Sequence, residues 1–216
     1  RNFVSDGRVC SLRVSLHPRR NLLLLEPGAA AAQDLMPLVA RIRRMFDLDA
    51  NPAVIADALQ CDPALAPLLE QFPGMRAPGH WSLYEAAIRA IVGQQVSTVA
   101  ARSICGRLVA ATCNDPAHPV FPGAGAIATL DDSHFPMPGR RRDSLRTLCS
   151  QFRDREDTLD LAALEQVPGV GPWTLAMVAM RGGAIPASTE PDWQVLLRNE
   201  FHDILPGSSI REVYEI

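Results

Sequence analysis

The chain has 216 residues, 47% of them hydrophobic and 21% charged, enough to bury a sizeable core as one large domain or as a helical domain with a smaller companion. A net charge of −3 and a pI near 6.0 exclude a molecule whose overall field draws in a polyanion, so nucleic-acid contacts would have to come from local arginine clusters or backbone amides. All 21 basic residues are arginine, and the absence of lysine excludes a lysine Schiff base.

The five cysteines, Cys10, Cys61, Cys105, Cys113 and Cys149, form no C-x-x-C pair and match neither a zinc nor an iron–sulfur spacing. Scattered thiols in odd number suit a reducing compartment, and no apolar run reaches membrane-spanning length, so a cytoplasmic location (at the nucleoid in a bacterium) without membrane contact is expected. The chain opens at Arg1 without an initiator methionine and is expected to be a portion of something longer.

RVCSLRVSL (8–16) alternates enough for a strand, HPRR reads as a turn, and NLLLLEPG (21–28) reads as a second strand. Two strands alone are marginal, so a larger sheet is expected there. From Asp34 onward the pattern is helical. Leu35, Leu38, Val39, Ile42 and Phe46 form one apolar stripe, opposed by Arg41, Arg43 and Arg44. Asn51-Pro52 and Asp62-Pro63 each supply a cap followed by proline at the first helical position. Ser82 and Glu85 fit a capping box before YEAAIRAIVG, and Ser97 caps TVAARSICGRLVAA. Residues 114–129, rich in Pro, Gly and Ala, read as a long surface connection. RRRDSLRTLCSQF (140–152) is another amphipathic helix, and Asp160 caps LAALEQV.

That last helix runs into VPGVGPWTLAMVAMRG (167–182), a tight turn followed by a second helix. Gly169 and Gly171 are free to take positive φ, and Pro172 suits the first helical position. Such a turn exposes backbone amides at a helix start, where the dipole favours an anion, and would hold a phosphate without a basic side chain. A plain pair of antiparallel helices with glycine for closeness is the competing reading.

VPGVGPW resembles the helix-hairpin-helix of the HhH-GPD DNA glycosylases, and the resemblance is strongest to the alkylation-repair branch, the 3-methyladenine DNA glycosylase II family. MFDLDANP (45–52), FPGMRAPG (72–79), AIRAIVGQQVS (87–97) and FPMPGRRRDSL (135–145) are similar to that branch in the same order. The resemblance implies a mostly α fold, α+β overall. Residues 1–45 would end an N-terminal antiparallel sheet domain, and residues 46–216 would form a helical glycosylase domain of two lobes. Relatives continue past SIREVYEI with helices that complete a lobe, and truncation, disorder or divergence are the alternatives for this chain's C-terminus.

The same resemblance implies a site. Asp192, 21 residues beyond Gly171 in STEPDWQVLLRNEF, matches the essential aspartate. Cleaving an N-glycosidic bond builds positive charge on the sugar, and a fixed carboxylate stabilises it. Thr189-x-x-Asp192 also reads as a capping motif, Glu190 is the nearest rival carboxylate, and Pro191 replaces an acid common in the family. Trp173 occupies the position of the lysine in lyase-competent members, so water is the expected nucleophile and no lyase activity is expected. Trp173, Trp193 and Met177 fall where the family builds its base pocket, whose aromatic faces suit a cationic alkylated base; core packing is the alternative for each tryptophan.

Gln94 or Gln95 would fill the stack vacated by the flipped nucleotide. Val167, Gly169, Gly171 and Thr174 would hold DNA, with Arg140, Arg141 and Arg142 near its phosphates, although such a cluster also reads as a solvated helix start. No cofactor is expected beyond a structural Na+ or K+ at the backbone of Val167 and Val170. The expected partner of this monomer is double-stranded DNA carrying alkylated bases. A non-catalytic damaged-DNA-binding module, or the repair half of a longer fused methyl-acceptor and transcription regulator, are the alternatives.

Overall fold

The computed structural model describes residues 1–182. The chain opens with an antiparallel meander, β1 (Asn2–Ser5), β2 (Arg8–Leu16) and β3 (Leu23–Pro27), in that spatial order. The two strands read from sequence correspond to β2 and β3. The third is β1, which pairs Phe3 with Cys10 and Val4 with Val9 across a two-residue turn. Asp6 (φ 48°) and Gly7 (φ 72°) both take the left-handed conformation that a tight hairpin with the native strand twist requires. Asp-Gly is a strong sequence signal for such a turn.

The sheet buries Phe3, Cys10 and Leu12 against α1 (Leu35–Met45), whose Leu38, Ile42 and Met45 recur at helical spacing. A 3-10 turn (Ala29–Asp34) leads into α1. Arg41, which opposes the apolar stripe in the sequence, is not left to solvent: its guanidinium lies 4.6 Å from the Trp81 ring centroid, and that of Arg1 lies 5.1 Å from the same ring. Indole and guanidinium attract, and the arginine stem covers apolar surface, so a charged side chain joins this core at little cost.

α2 (Pro52–Leu59) starts as expected, with the Asn51 side chain accepting from Ala53 N (3.0 Å). The Asp62-Pro63 cap forms a turn in which Asp62 accepts from Ala64 N (2.9 Å), and α3 (Ala66–Gln71) begins only afterwards, at Ala66. α4 (Leu83–Gly93) is the central helix: Tyr84, Ala86, Ala87, Ile88, Ile91 and Val92 are all buried. Full burial of Ile88 and Ile91 contributes about 1.5–3 kcal/mol apiece.

The Ser82 hydroxyl caps α4 by accepting from Glu85 N (3.1 Å), but the capping box stays half made. The Glu85 carboxylate turns inward, 2% exposed, and is held by Arg1 and by Arg89 Nε (2.8 Å). It is a tie between the sheet and α4. A parallel bridge between Asn2 and Val120 makes a second tie.

α5 (Thr98–Thr112) is capped by Ser97, which accepts from Ala100 N (3.2 Å), and buries Ile104, Cys105 and Leu108 on one stripe. The segment read as a surface connection contains α6 (Ala124–Ala128), whose Ala124 and Ile127 are fully buried. Alanine and glycine pass for loop composition, yet small residues are what a short helix needs to approach α7 (Gly139–Gln151) closely. α7 supplies Leu145, Leu148 and Cys149 to the same core.

α8 (Leu161–Glu165), capped by Asp160 (to Ala163 N, 2.7 Å), and α9 (Pro172–Gly182) flank the glycine-rich turn. The far end of α9 rests on residues 78–83: Arg181 O accepts from His80 N (2.6 Å), and a Cβ on Gly182 would overlap Leu83. No helix among the described residues is long and apolar enough to cross a membrane.

Candidate nucleic-acid interface

The turn between α8 and α9 is held from behind by two neighbouring helices. Ser144 of α7 lies with its Oγ 2.6 Å from Pro168 O and 2.9 Å from Arg140 O, one proton shared between them. Gln94, just after α4, donates through Nε2 to Gly169 O (3.0 Å) and to Thr174 Oγ1 (3.1 Å). A trans peptide places its N–H opposite its carbonyl. Drawing Pro168 O inward onto Ser144 therefore turns Gly169 N–H outward, and Gly169 is exposed.

Only one of the two hairpin glycines takes positive φ. Gly169 (φ 85°) needs to be glycine twice over, since a Cβ there would also overlap Ser144 Oγ. Gly171, equally free to take that conformation, does not, and a Cβ on it would meet nothing within 4 Å among the described residues. Nothing among the described residues requires glycine at 171.

Val170 N is used by Val167 O (3.1 Å) and Leu175 N by Gly171 O (3.0 Å). Among the described residues, the N–H groups of Gly169, Gly171 and Trp173 have no acceptor. They lie at the positive end of α9, a concave run of donors of the kind that takes an anion. No group of three or more His, Cys, Asp or Glu among the described residues is arranged to hold a metal ion.

Residues expected to touch DNA separate by exposure. Val167 (1% exposed) and Thr174 are buried, and only their backbones and the Thr174 acceptor face the turn. Arg141 is 9% exposed and its Nη1 donates to Val92 O (3.4 Å), tying α7 to the last turn of α4. Arg142 pairs with Asp132 (3.0 Å), which also holds Arg146 (2.6 Å). Arg140 is exposed. Trp173 is 45% exposed, and half-buried Met177 sits one turn further along the same face of α9, while Thr174 and Val178 face the core. Asp192, Trp193, Glu190 and the rest of the STEPD segment lie outside the described residues.

The GQQVS turn separates its two glutamines. Gln94 (φ −57°, ψ 123°) and Gln95 (φ 55°) are the two central residues of a type II turn closed by Val96 N to Gly93 O (3.4 Å). Gln94 is spent on the hairpin. Gln95 is exposed, and among the described residues its side chain bonds to nothing. Ser144 was not singled out from sequence. Its signal was a small polar residue on the apolar stripe that holds Leu145 and Leu148.

A helical core threaded by a helix-hairpin-helix and joined to an antiparallel sheet is the fold of the HhH-GPD DNA glycosylases. The structure matches the 3-methyladenine DNA glycosylase from Archaeoglobus fulgidus with a TM-score of 0.67 over 85% of this chain and 67% of that one, at 20% identity. Residues 1–82 match the family model of the AlkA N-terminal domain. The chain is 39% identical over 175 residues to the probable bifunctional transcriptional activator/DNA repair enzyme AlkA of Mycobacterium tuberculosis, spanning 72% of this chain and 35% of that protein. It is 30% identical over 200 residues to DNA-3-methyladenine glycosylase 2 of Escherichia coli, spanning 85% of this chain and 66% of that protein. The chain belongs to the alkylation-repair branch of the superfamily, the 3-methyladenine DNA glycosylase II or AlkA family. It covers about a third of the mycobacterial relative's length and about two thirds of the Escherichia coli one's.

Proposed function

We propose that this protein is a monofunctional DNA glycosylase that hydrolyses the N-glycosidic bond of alkylated, 3-methyladenine-type bases in duplex DNA. The observation that carries the reading is the row of amides at Gly169, Gly171 and Trp173 that find no acceptor among the described residues, beside a half-exposed tryptophan. Those donors suit a DNA phosphate and need no basic surface, consistent with a pI near 6.0. Gly171, whose Cβ position is open among the described residues, is explained by a phosphate that must come close to the backbone.

In this reading the turn carrying Gln95 enters the duplex as the damaged nucleotide swings out, and Arg140 meets a neighbouring phosphate. Trp173, with Trp193 and Met177, lines the base pocket. An alkylated purine with a ring positive charge is attracted to an indole face by about 1 kcal/mol or more once desolvated, and it leaves readily without a strong general acid. Asp192 is the carboxylate assigned to the developing oxocarbenium charge and to the attacking water. With no lysine in the chain, no imine forms with the sugar and the abasic strand is left intact. A structural Na+ or K+ would take the carbonyl oxygens of Val167 and Val170: among the described residues Val167 O accepts one N–H, leaving a lone pair, and an all-carbonyl set suits a hard monovalent ion.

Incubation with methylated duplex DNA and chromatography of the free bases tests the activity. The wild type is expected to release 3-methyladenine without strand cleavage, and Asp192→Asn to lose release by about a hundredfold or more while still binding the damaged duplex. Binding without any base release by the wild type would instead establish a damaged-DNA-binding module. The mycobacterial relative bears the name of a bifunctional transcriptional activator and DNA repair enzyme, and that likeness supplies a second reading of this chain as the repair half of a longer regulator. The full coding sequence decides that.

A further inference from the structure

Gln94 makes a contact that a gap-filling side chain would not. Both protons of its amide nitrogen are committed, one to Gly169 O (3.0 Å) on the hairpin and one to Thr174 Oγ1 (3.1 Å) in the first turn of α9. Its backbone forms the first half of the type II turn whose second half is Gln95. One residue thus belongs by its main chain to the turn and by its side chain to the hairpin.

Resting on the glycosylase reading, we infer that Gln94 is a positioning residue that locks the base-extruding turn to the phosphate-holding hairpin, so that the two act on DNA as one rigid body. Pushing a base out of the stack requires a fixed anchor on its own backbone. If the turn slips against the hairpin, the thrust of Gln95 is lost even though each part still binds. Arg141 does not supply this link, since it fastens α7 to Val92 O inside α4, before the turn. Ser144 fastens α7 to Pro168 O and does not reach the turn. Among the described residues the side-chain ties from the turn to the hairpin are the two made by Gln94. Both are neutral bonds at a partly exposed edge, whose net contribution to stability is small, so their loss leaves the fold standing.

The test compares wild type, Gln94→Ala, Thr174→Val and the double variant by three measurements. These are affinity for an undamaged duplex, the fluorescence rise of 2-aminopurine placed at the target position, and single-turnover release of 3-methyladenine. Thr174→Val removes one acceptor at nearly constant shape. Gln94→Ala is expected to keep duplex affinity within about twofold while the fluorescence rise and the release rate both fall about tenfold, because misplacing a positioned group is costly. Thr174→Val is expected to lose about threefold, and the double variant no more than Gln94→Ala, since the two side chains share one link. Should Gln94→Ala fail to fold, Thr174→Val carries the same comparison. Unchanged extrusion and release, or a loss of duplex affinity as large as the loss of release, overturns the inference while a working wild type leaves the glycosylase reading intact. A wild type that neither unstacks the probe nor releases base brings down both.

Discussion

Four non-glycine residues among those described have positive φ, and three of them, Asp6, Asp47 and Asp154, carry the short polar side chain that tolerates it. The fourth is Gln95, at the turn position where glycine is the ordinary choice. Holding a longer side chain there costs about 1 kcal/mol, and nothing among the described residues repays it, because that side chain is exposed and unbonded. A cost of that kind belongs to a residue kept for contact with something else. Gln95→Gly is therefore expected to raise stability by about 1 kcal/mol in urea unfolding, while lowering base release several-fold. A destabilised Gln95→Gly protein would show that the turn depends on the side chain for its own fold.

At the scale of the element, the hairpin separates two glycines that look alike in VPGVG. Gly169 is required by the fold, through its φ of 85° and the Ser144 hydroxyl behind it, whereas Gly171 has open space at its Cβ among the described residues. Gly169→Ala should lose about 1–3 kcal/mol of stability and DNA binding with it. Gly171→Ala should keep its melting temperature and lose duplex affinity about tenfold, the methyl group standing where a phosphate oxygen would approach. Thermal unfolding and fluorescence anisotropy on the two variants distinguish these outcomes. The pattern of helix, tight turn and helix was plain in the sequence, as were the caps Ser82, Ser97 and Asp160, because each depends on residues close along the chain. Arg141 and Ser144 were not legible as braces, since their partners Val92 and Pro168 lie 49 and 24 positions away.

For the whole molecule, the sheet is joined to the helical core around Glu85, His80 and Trp81, and this junction titrates. Burial works against the charge on Glu85, but the Arg1 and Arg89 guanidinium groups outweigh it and hold its pKa below the ordinary carboxylate value. Its contribution is present above about pH 4.5 and is lost as pH falls through the lowered value. His80 is pushed from 6.5 to about 4, first by burial and then by Arg89, with Arg181 and Arg1 adding to the effect and Glu85 opposing it. Between those values the unfolded chain takes up a proton that the folded one refuses, so the stability that neutral His80 contributes falls on acidification from pH 6.5 and is fully lost below about 4, where the loss from Glu85 follows. The histidine's share of the loss is about 3 kcal/mol. Urea unfolding from pH 7 to 4.5 should show this slope, and His80→Gln should flatten it.

What the sequence determined by itself was local or a matter of register: strand alternation in β2, the spacing of apolar residues in α1, α4 and α5, the capping residues, the glycine-rich turn and its family. The tertiary structure decided which of two adjacent glutamines faces solvent, which of two glycines the fold requires, and which arginines are spent inside the protein. It also decided that the alanine-rich stretch around residue 127 is core. Each of those depends on groups far apart in the chain meeting at hydrogen-bond or van der Waals distance, and a single residue's chemistry does not specify its distant partner.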